Sequence, residues 1–160
     1  MALVMQLAGI PGECEFDGYA RWHSVLGFNW GGSRVERSQA ARGTRAMAKV
    51  WTPQLRNLVV QRKADGRSAS LWEQMYTAKE FSEIKFEWLR TGAGKPVSYF
   101  SAAFRKARII SIKASSDGSH PIEEITFLYV EVTLGVTNVG NTLSGAQDVF
   151  TYTMASHVLE

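Results

Sequence analysis

The stretch Ile122-Glu123-Glu124-Ile125-Thr126-Phe127-Leu128-Tyr129-Val130-Glu131-Val132-Thr133-Leu134-Gly135-Val136 decides the fold class. Its β-branched and aromatic residues fall on alternate positions, and no apolar spacing of three or four emerges. Read as one strand, it carries Leu128, Val130, Val132, Leu134 and Val136 on one face. The other face carries Ile125, Phe127, Tyr129, Glu131 and Thr133. Working outward, the same period of two returns in Leu3–Ala8, Trp22–Trp30, Val50–Lys63, Ile84–Trp88, Val97–Phe104, Arg108–Ala114 and Val149–Met154. Gly9-Ile10-Pro11-Gly12, Asp17-Gly18, Asp65-Gly66, Thr91-Gly92-Ala93-Gly94 and Asp117-Gly118 punctuate these runs as turns. A bend is expected near Lys106. Only Ser68–Glu80 reads as a helix, with Leu71, Trp72, Met75 and Ala78 on one side and a cap at Ser68, or at Ser70 paired with Glu73. About eight strands and one helix predict a mainly β fold, an antiparallel β-barrel with one flanking α-helix, as a single domain over residues 1–160.

The length of 160 residues and the apolar share of 45% suit one domain with a real core. A single cysteine, Cys14, excludes an internal disulfide, and its flanking Glu13 and Glu15 make it a poor nucleophile. No apolar run approaches the roughly 20 residues of a membrane-spanning helix, so no membrane insertion is expected. Met1–Leu7 lacks the basic and apolar regions of a cleavable signal, which predicts cytoplasmic synthesis and folding.

Catalytic and metal chemistry find no support in the residues. His23, His120 and His157 are isolated and read as polar surface or loop residues. Gly92-Ala93-Gly94-Lys95 joins two strands and lacks the Ser/Thr and helix of a phosphate loop. Glu123 and Glu124 are adjacent in a strand and point to opposite faces. No enzyme, cofactor or metal site is therefore expected.

Two features exceed an ordinary barrel. From Arg34 to Arg67 nine Lys/Arg stand against Glu36 and Asp65, a local +7 within a chain of net charge +3. Within it, residues 31–48 are Gly, Ser, Ala and Arg with almost no bulky apolar side chain, which predicts a long functional loop. Arg34, Arg37, Arg42 and Arg45 are its candidate contact residues. With Trp22, Phe28, Trp30 and Trp51 nearby, a nucleic-acid-binding barrel using this loop is the alternative reading. The second feature is apolar content on both faces of several strands. Phe127, Tyr129, Phe150 and Tyr152 are predicted to lie on the outside, as a subunit interface covered by another copy.

Taken in order, the segments resemble the Hcp (hemolysin-coregulated protein) family, the tube protein of type VI secretion systems. The resemblance rests on Gly9-Ile10-Pro11-Gly12-Glu13, Trp22-His23-Ser24-Val25-Leu26-Gly27-Phe28-Asn29-Trp30-Gly31, Ile84-Lys85-Phe86-Glu87-Trp88, Gly94-Lys95-Pro96-Val97-Ser98-Tyr99-Phe100, Ile109-Ile110-Ser111-Ile112 and Glu123-Glu124-Ile125-Thr126-Phe127. It spans roughly residues 3–154. The chain departs from the family pattern at Trp51–Arg56, at the helix start, and in the basicity of residues 31–48. The resemblance implies a barrel that assembles into hexameric rings, which stack into a hollow tube. It further implies a contractile sheath, a spike protein and small effector proteins held in the lumen as partners, and export through the type VI machine.

Overall fold

Nineteen consecutive residues, Val97–Ser115, form one strand whose inward side changes along its length. Ala102 and Phe104 are buried, then Ala107 and Ile109, then Ile112. Even positions face in, then odd, then even again. The first switch is made at Lys106, which is exposed and takes a φ of 50°, a left-handed conformation rare for a residue with a Cβ. The second is a bulge between Ile109 and Ser111 that turns Ile110 outward. The bend expected near Lys106 is thus present, inside a strand that continues through it.

The computed structural model describes residues 1–40, 47–92, 94–137 and 147–153, and within these the side chains of 37, 39, 40, 47, 48, 50 and 147–149 are left aside. Eleven strands and one helix follow one another: β1 (Ala2–Leu7), β2 (His23–Val25), β3 (Gly27–Asn29), β4 (Gly32–Ala40), β5 (Met47–Leu55), β6 (Leu58–Lys63), α1 (Ser68–Tyr76), β7 (Phe81–Arg90), β8 (Val97–Ser115), β9 (Ile122–Leu128), β10 (Glu131–Thr137) and β11 (Gln147–Thr153). Every named strand pairing is antiparallel.

The main sheet runs β2-β1-β7-β8-β9-β6-β3. Its two ends are consecutive in the chain, because β2 and β3 are halves of one stretch interrupted only at Leu26, whose N–H donates to the Gln61 carbonyl at 2.8 Å. The ladders therefore return to their starting segment, and His23–Asn29 is the seam of the barrel. The bent β8 carries the sheet around the corner. Its first part lies between β7 and β10, and its second part pairs with β9. β10 and β11 extend the sheet past the closed circuit.

Ile122–Val136 is two strands, not one. The break falls at Tyr129-Val130, beside the Lys106 kink, where the Val130 N–H bonds to the Arg105 carbonyl at 3.1 Å. Inward positions are Ile125, Phe127 and Tyr129 before the break and Val132 after it. Reading one uninterrupted alternation put Phe127 and Tyr129 on the wrong side. They belong to the core with Phe81, Phe86, Phe104, Ile84 and Leu58. Phe104 and Tyr129 meet edge to face at 4.8 Å, and Phe28 meets Phe86 in the same manner at 5.0 Å.

The helix is shorter than expected, nine residues ending at Tyr76. Its N-cap is Arg67, not Ser68 or Ser70, and the Asp65 carboxylate accepts the Arg67 N–H at 2.8 Å. Leu71 is buried in the main core and Met75 packs against it, while Trp72 and Tyr76 are exposed. Beyond the helix, Ala78 takes a positive φ of 49° and ends the possibility of continuing.

Candidate assembly surfaces

Residues 31–48 do not form a loop throughout. β4 and β5 pair over nine positions, from Gly32↔Leu55 to Ala40↔Met47, as a two-stranded ribbon that joins no other sheet among the described residues. Pro53 is tolerated there because a two-stranded ribbon consists of edges. At the root of the ribbon the Arg56 N–H donates to the Gly31 carbonyl at 2.9 Å. The Tyr129 hydroxyl donates to the Arg56 carbonyl at 2.8 Å and accepts the Trp30 indole N–H. One core tyrosine therefore fixes the ribbon to the barrel. Its burial also raises the Tyr129 pKa, keeping it a donor.

Arg34 lies on β4 opposite Pro53 and is exposed. Arg37 stands opposite Val50 in the ladder, and Arg42 and Arg45 lie outside the described residues. Lys49 and Glu36 form an exposed ion pair at 2.9 Å. The local +7 is not a single surface. Arg62 is 1% exposed and lies within the fold, paired with Glu123 at 3.2 Å and with Asp65. Of the aromatics expected to stack bases, Phe28 and Trp30 pack against the core and Trp22 against a second cluster with Val4, Cys14 and Leu89. Only Trp51 stands free on the ribbon.

Of the four residues expected at a subunit interface, Phe127 and Tyr129 are removed by burial, as described above. Phe150 and Tyr152 keep an open surface. They alternate on β11 opposite Leu134 and Val132, so all four share one face of the sheet. That face is the inner one, running on past the closed circuit until nothing in the chain's described residues covers it. Exposure rises along it, from Val132 (0%) through half-buried Leu134 and Tyr152 to Val136 at 43% and Phe150 at 55%. Phe100, opposite Val136, and Trp88, against Phe100 at 4.8 Å, widen the same apolar strip. The interface expected from sequence omits Leu134 and Val136 because one uninterrupted alternation puts them on the face opposite Phe127 and Tyr129, whereas Leu134 stands opposite Phe150 in the ladder. Their parity with Val132 was the available signal.

The outer side of the same strands is polar and ionic. Arg105 pairs with Glu83 at 3.0 Å and with Glu131, and the guanidinium holds the Glu131 carboxyl below the usual carboxylate range. Lys85, Glu87, Ser101, Ala103 and Thr133 line a shallow groove beside them. No cluster of His, Cys, Asp or Glu suited to a metal occurs among the described residues. No described helix is long and apolar enough to cross a membrane.

A closed antiparallel barrel with one short helix, a projecting ribbon and an uncovered apolar sheet extension defines a structural β-barrel class. The chain belongs to the Hcp family of type VI secretion proteins: the family described as "Type VI secretion system effector, Hcp" matches residues 4–135. Solved structures agree on the fold. A type six secretion system protein aligns with a TM-score of 0.77 at 24% identity, covering 95% of this chain and 94% of that one. Hcp1 from Salmonella typhimurium gives 0.76 at 17% identity over 96% of each chain. A type VI secretion system effector from Yersinia pestis gives 0.74 at 18%, covering 95% and 99%. No curated protein matches the sequence.

Proposed function

We propose that this chain is a structural tube subunit of a type VI secretion system, without catalytic activity of its own. Copies close into hexameric rings, the rings stack into a hollow tube, and the tube carries small effectors in its lumen and is itself exported. The observation that supports ring closure is the apolar strip of Leu134, Val136, Phe150 and Tyr152, left open where the sheet outruns its barrel. An apolar inner sheet face is the kind of surface that a second copy covers, and a contact between unlike patches closes into a ring when the rotation fits.

The ribbon supports the stacking part of the reading. It projects, it is rich in arginine, and in isolation it has too little apolar surface to fold onto. Basic residues on the ribbon meeting carboxylates of the adjacent ring give a contact that salt weakens. The sheath and spike contact other faces of the same tube. Light scattering on the purified protein tests the proposal. A mass of six chains at micromolar concentration is expected, and a strict monomer at high micromolar concentration overturns it. Replacing Arg34, Arg37, Arg42 and Arg45 by Ser is expected to leave rings intact and to reduce ring-on-ring stacking. Loss of the rings themselves would move the ribbon to the contact between neighbours in one ring.

A further inference from the structure

His23 sits on the seam. It is 1% exposed, on β2, and its Nε2 lies 3.0 Å from the Ile10 carbonyl oxygen. Its Nδ1 is buried and has no hydrogen-bond partner among the described residues. With Nε2–H donating to Ile10, Nδ1 holds a bare lone pair, and the ring is neutral. A second proton would have to reside on Nδ1, as a buried N–H with no acceptor.

The charged surroundings oppose that proton. Arg62 from β6 and Arg67 from the cap of α1 act on the ring as positive charges, and Asp65 as the one negative charge. The Asp65 carboxylate is already engaged by Arg62 and by the Arg67 N–H. Glu123 from β9 is spent on Arg62 at 3.2 Å. Glu13 reaches only the neighbourhood of Gly66. Neither Asp65 nor Glu123 is left free to receive an imidazolium. Burial, with Arg62 adding to it, accordingly lowers the His23 pKa.

The element that His23 belongs to is also the weakest closure of the barrel. β2 holds β1 through three residue pairs, and β3 holds β6 through three. By comparison β7 and β8 pair along most of a ten-residue strand. We infer that His23 is an acid-sensitive latch: protonation of its ring releases the seam His23–Asn29 and opens the barrel locally while the β7–β8 ladder holds. A single copy suffices for this, so the inference does not rest on the ring reading.

The sign follows from linkage. A histidine whose folded pKa is lowered below its unfolded value of about 6.5 leaves stability whole above that pH and erodes it as the pH falls, about tenfold in the opening constant per pH unit. Asp65, held below the ordinary carboxylate range, stays ionised between pH 6.5 and 5 and contributes nothing to the change in this window.

Hydrogen exchange of the full chain at pH 7.5, 6 and 5, corrected for intrinsic rates, tests the latch. Amides of residues 24–29 are expected to lose protection roughly tenfold or more by pH 5, with those of β7 and β8 unchanged. The variant His23→Gln, whose amide keeps a donor for Ile10, is expected to remove the pH dependence, while His120→Gln leaves it in place. Equal loss in the Gln variant, or uniform loss through β7 and β8, overturns the inference. Should the Gln variant fail to fold, the ring titration of His23 by NMR in the unaltered chain decides. A ring that takes up its proton near pH 6.5 with the seam still protected overturns it too.

Discussion

Phe150→Ser and Phe127→Ser separate the apolar surface that a neighbour covers from the surface that the chain covers itself. A phenylalanine side chain carries roughly 150–250 Å². With Phe150 at 55% exposure, about 100 Å² remains for a partner to cover. At about 25 cal/mol per Å² that area stabilises one contact by about 2.5 kcal/mol, so its removal weakens each contact about 50- to 100-fold. The part already covered within the chain costs up to about 2 kcal/mol of monomer stability, which a domain of this size survives at 25 °C. Phe127 is 0% exposed and its replacement leaves a cavity plus a buried hydroxyl, a loss of about 4 kcal/mol or more. Sedimentation velocity across a concentration series, with circular dichroism on the same samples, reads both effects. Phe150→Ser is expected as a folded species of smaller mass, and Phe127→Ser as a species with a greatly lowered Tm at any mass. A Phe150→Ser protein with unaltered assembly would refute the assignment of the β10–β11 face. A folded but dissociated Phe127→Ser protein would refute the burial argument.

Arg62→Met strands the Glu123 carboxylate at 2% exposure and should cost about 3–5 kcal/mol by denaturant melt, with Arg62→Met/Glu123→Leu recovering most of it. Asp65 gives a matching pH effect. Burial pushes its carboxyl up, but hydrogen bonds from Arg62 and the Arg67 N–H outweigh that and hold it low. The stability it contributes is present above about pH 4 and lost as the pH falls through the folded value, which Asp65→Asn should abolish in an acid titration. Gly12→Ala should lower stability by about 2–3 kcal/mol in a thermal melt, because a Cβ there would lie 2.2 Å from the Trp22 carbonyl oxygen. Tyr129→Phe leaves the Trp30 indole N–H and the Arg56 carbonyl unmatched, for a loss of about 1–3 kcal/mol and faster exchange of the Arg56 amide.

The ribbon shows why part of the surface could not be read in advance. Alternation marks a strand because one of its faces enters a core. Among the described side chains of β4–β5 only Leu55, at the root, packs against the core, and the sequence of Gly, Ser, Arg and Ala in 31–48 therefore looks like a loop. That Cys14 is no nucleophile was legible from its flanking Glu13 and Glu15, and it is buried as a small apolar residue with Val4 and Leu89. The place of His23 was not legible. With no neighbour at metal-ligand spacing in the chain, it read as a surface residue, and the ring of charges around it comes from β6 and the turn before α1.

From the order of its residues alone this chain is committed to antiparallel strands, to turns at Gly9-Ile10-Pro11-Gly12 and at its Asp-Gly pairs, and to one helix beginning at Ser68. Those are local matters, settled by side-chain branching and backbone freedom within a few residues. Which side of each strand points inward is not local. A single left-handed residue at Lys106 and a break at Tyr129-Val130 exchange the two faces; the bend near Lys106 is legible in the sequence, but the exchange of faces it brings and the break at Tyr129-Val130 are not. The tertiary fold makes that choice, because β8 must turn a corner to close the barrel, and every strand beside it inherits the change. Phe127 and Tyr129 went inside for that reason, and Phe150 was left at the open end of the sheet.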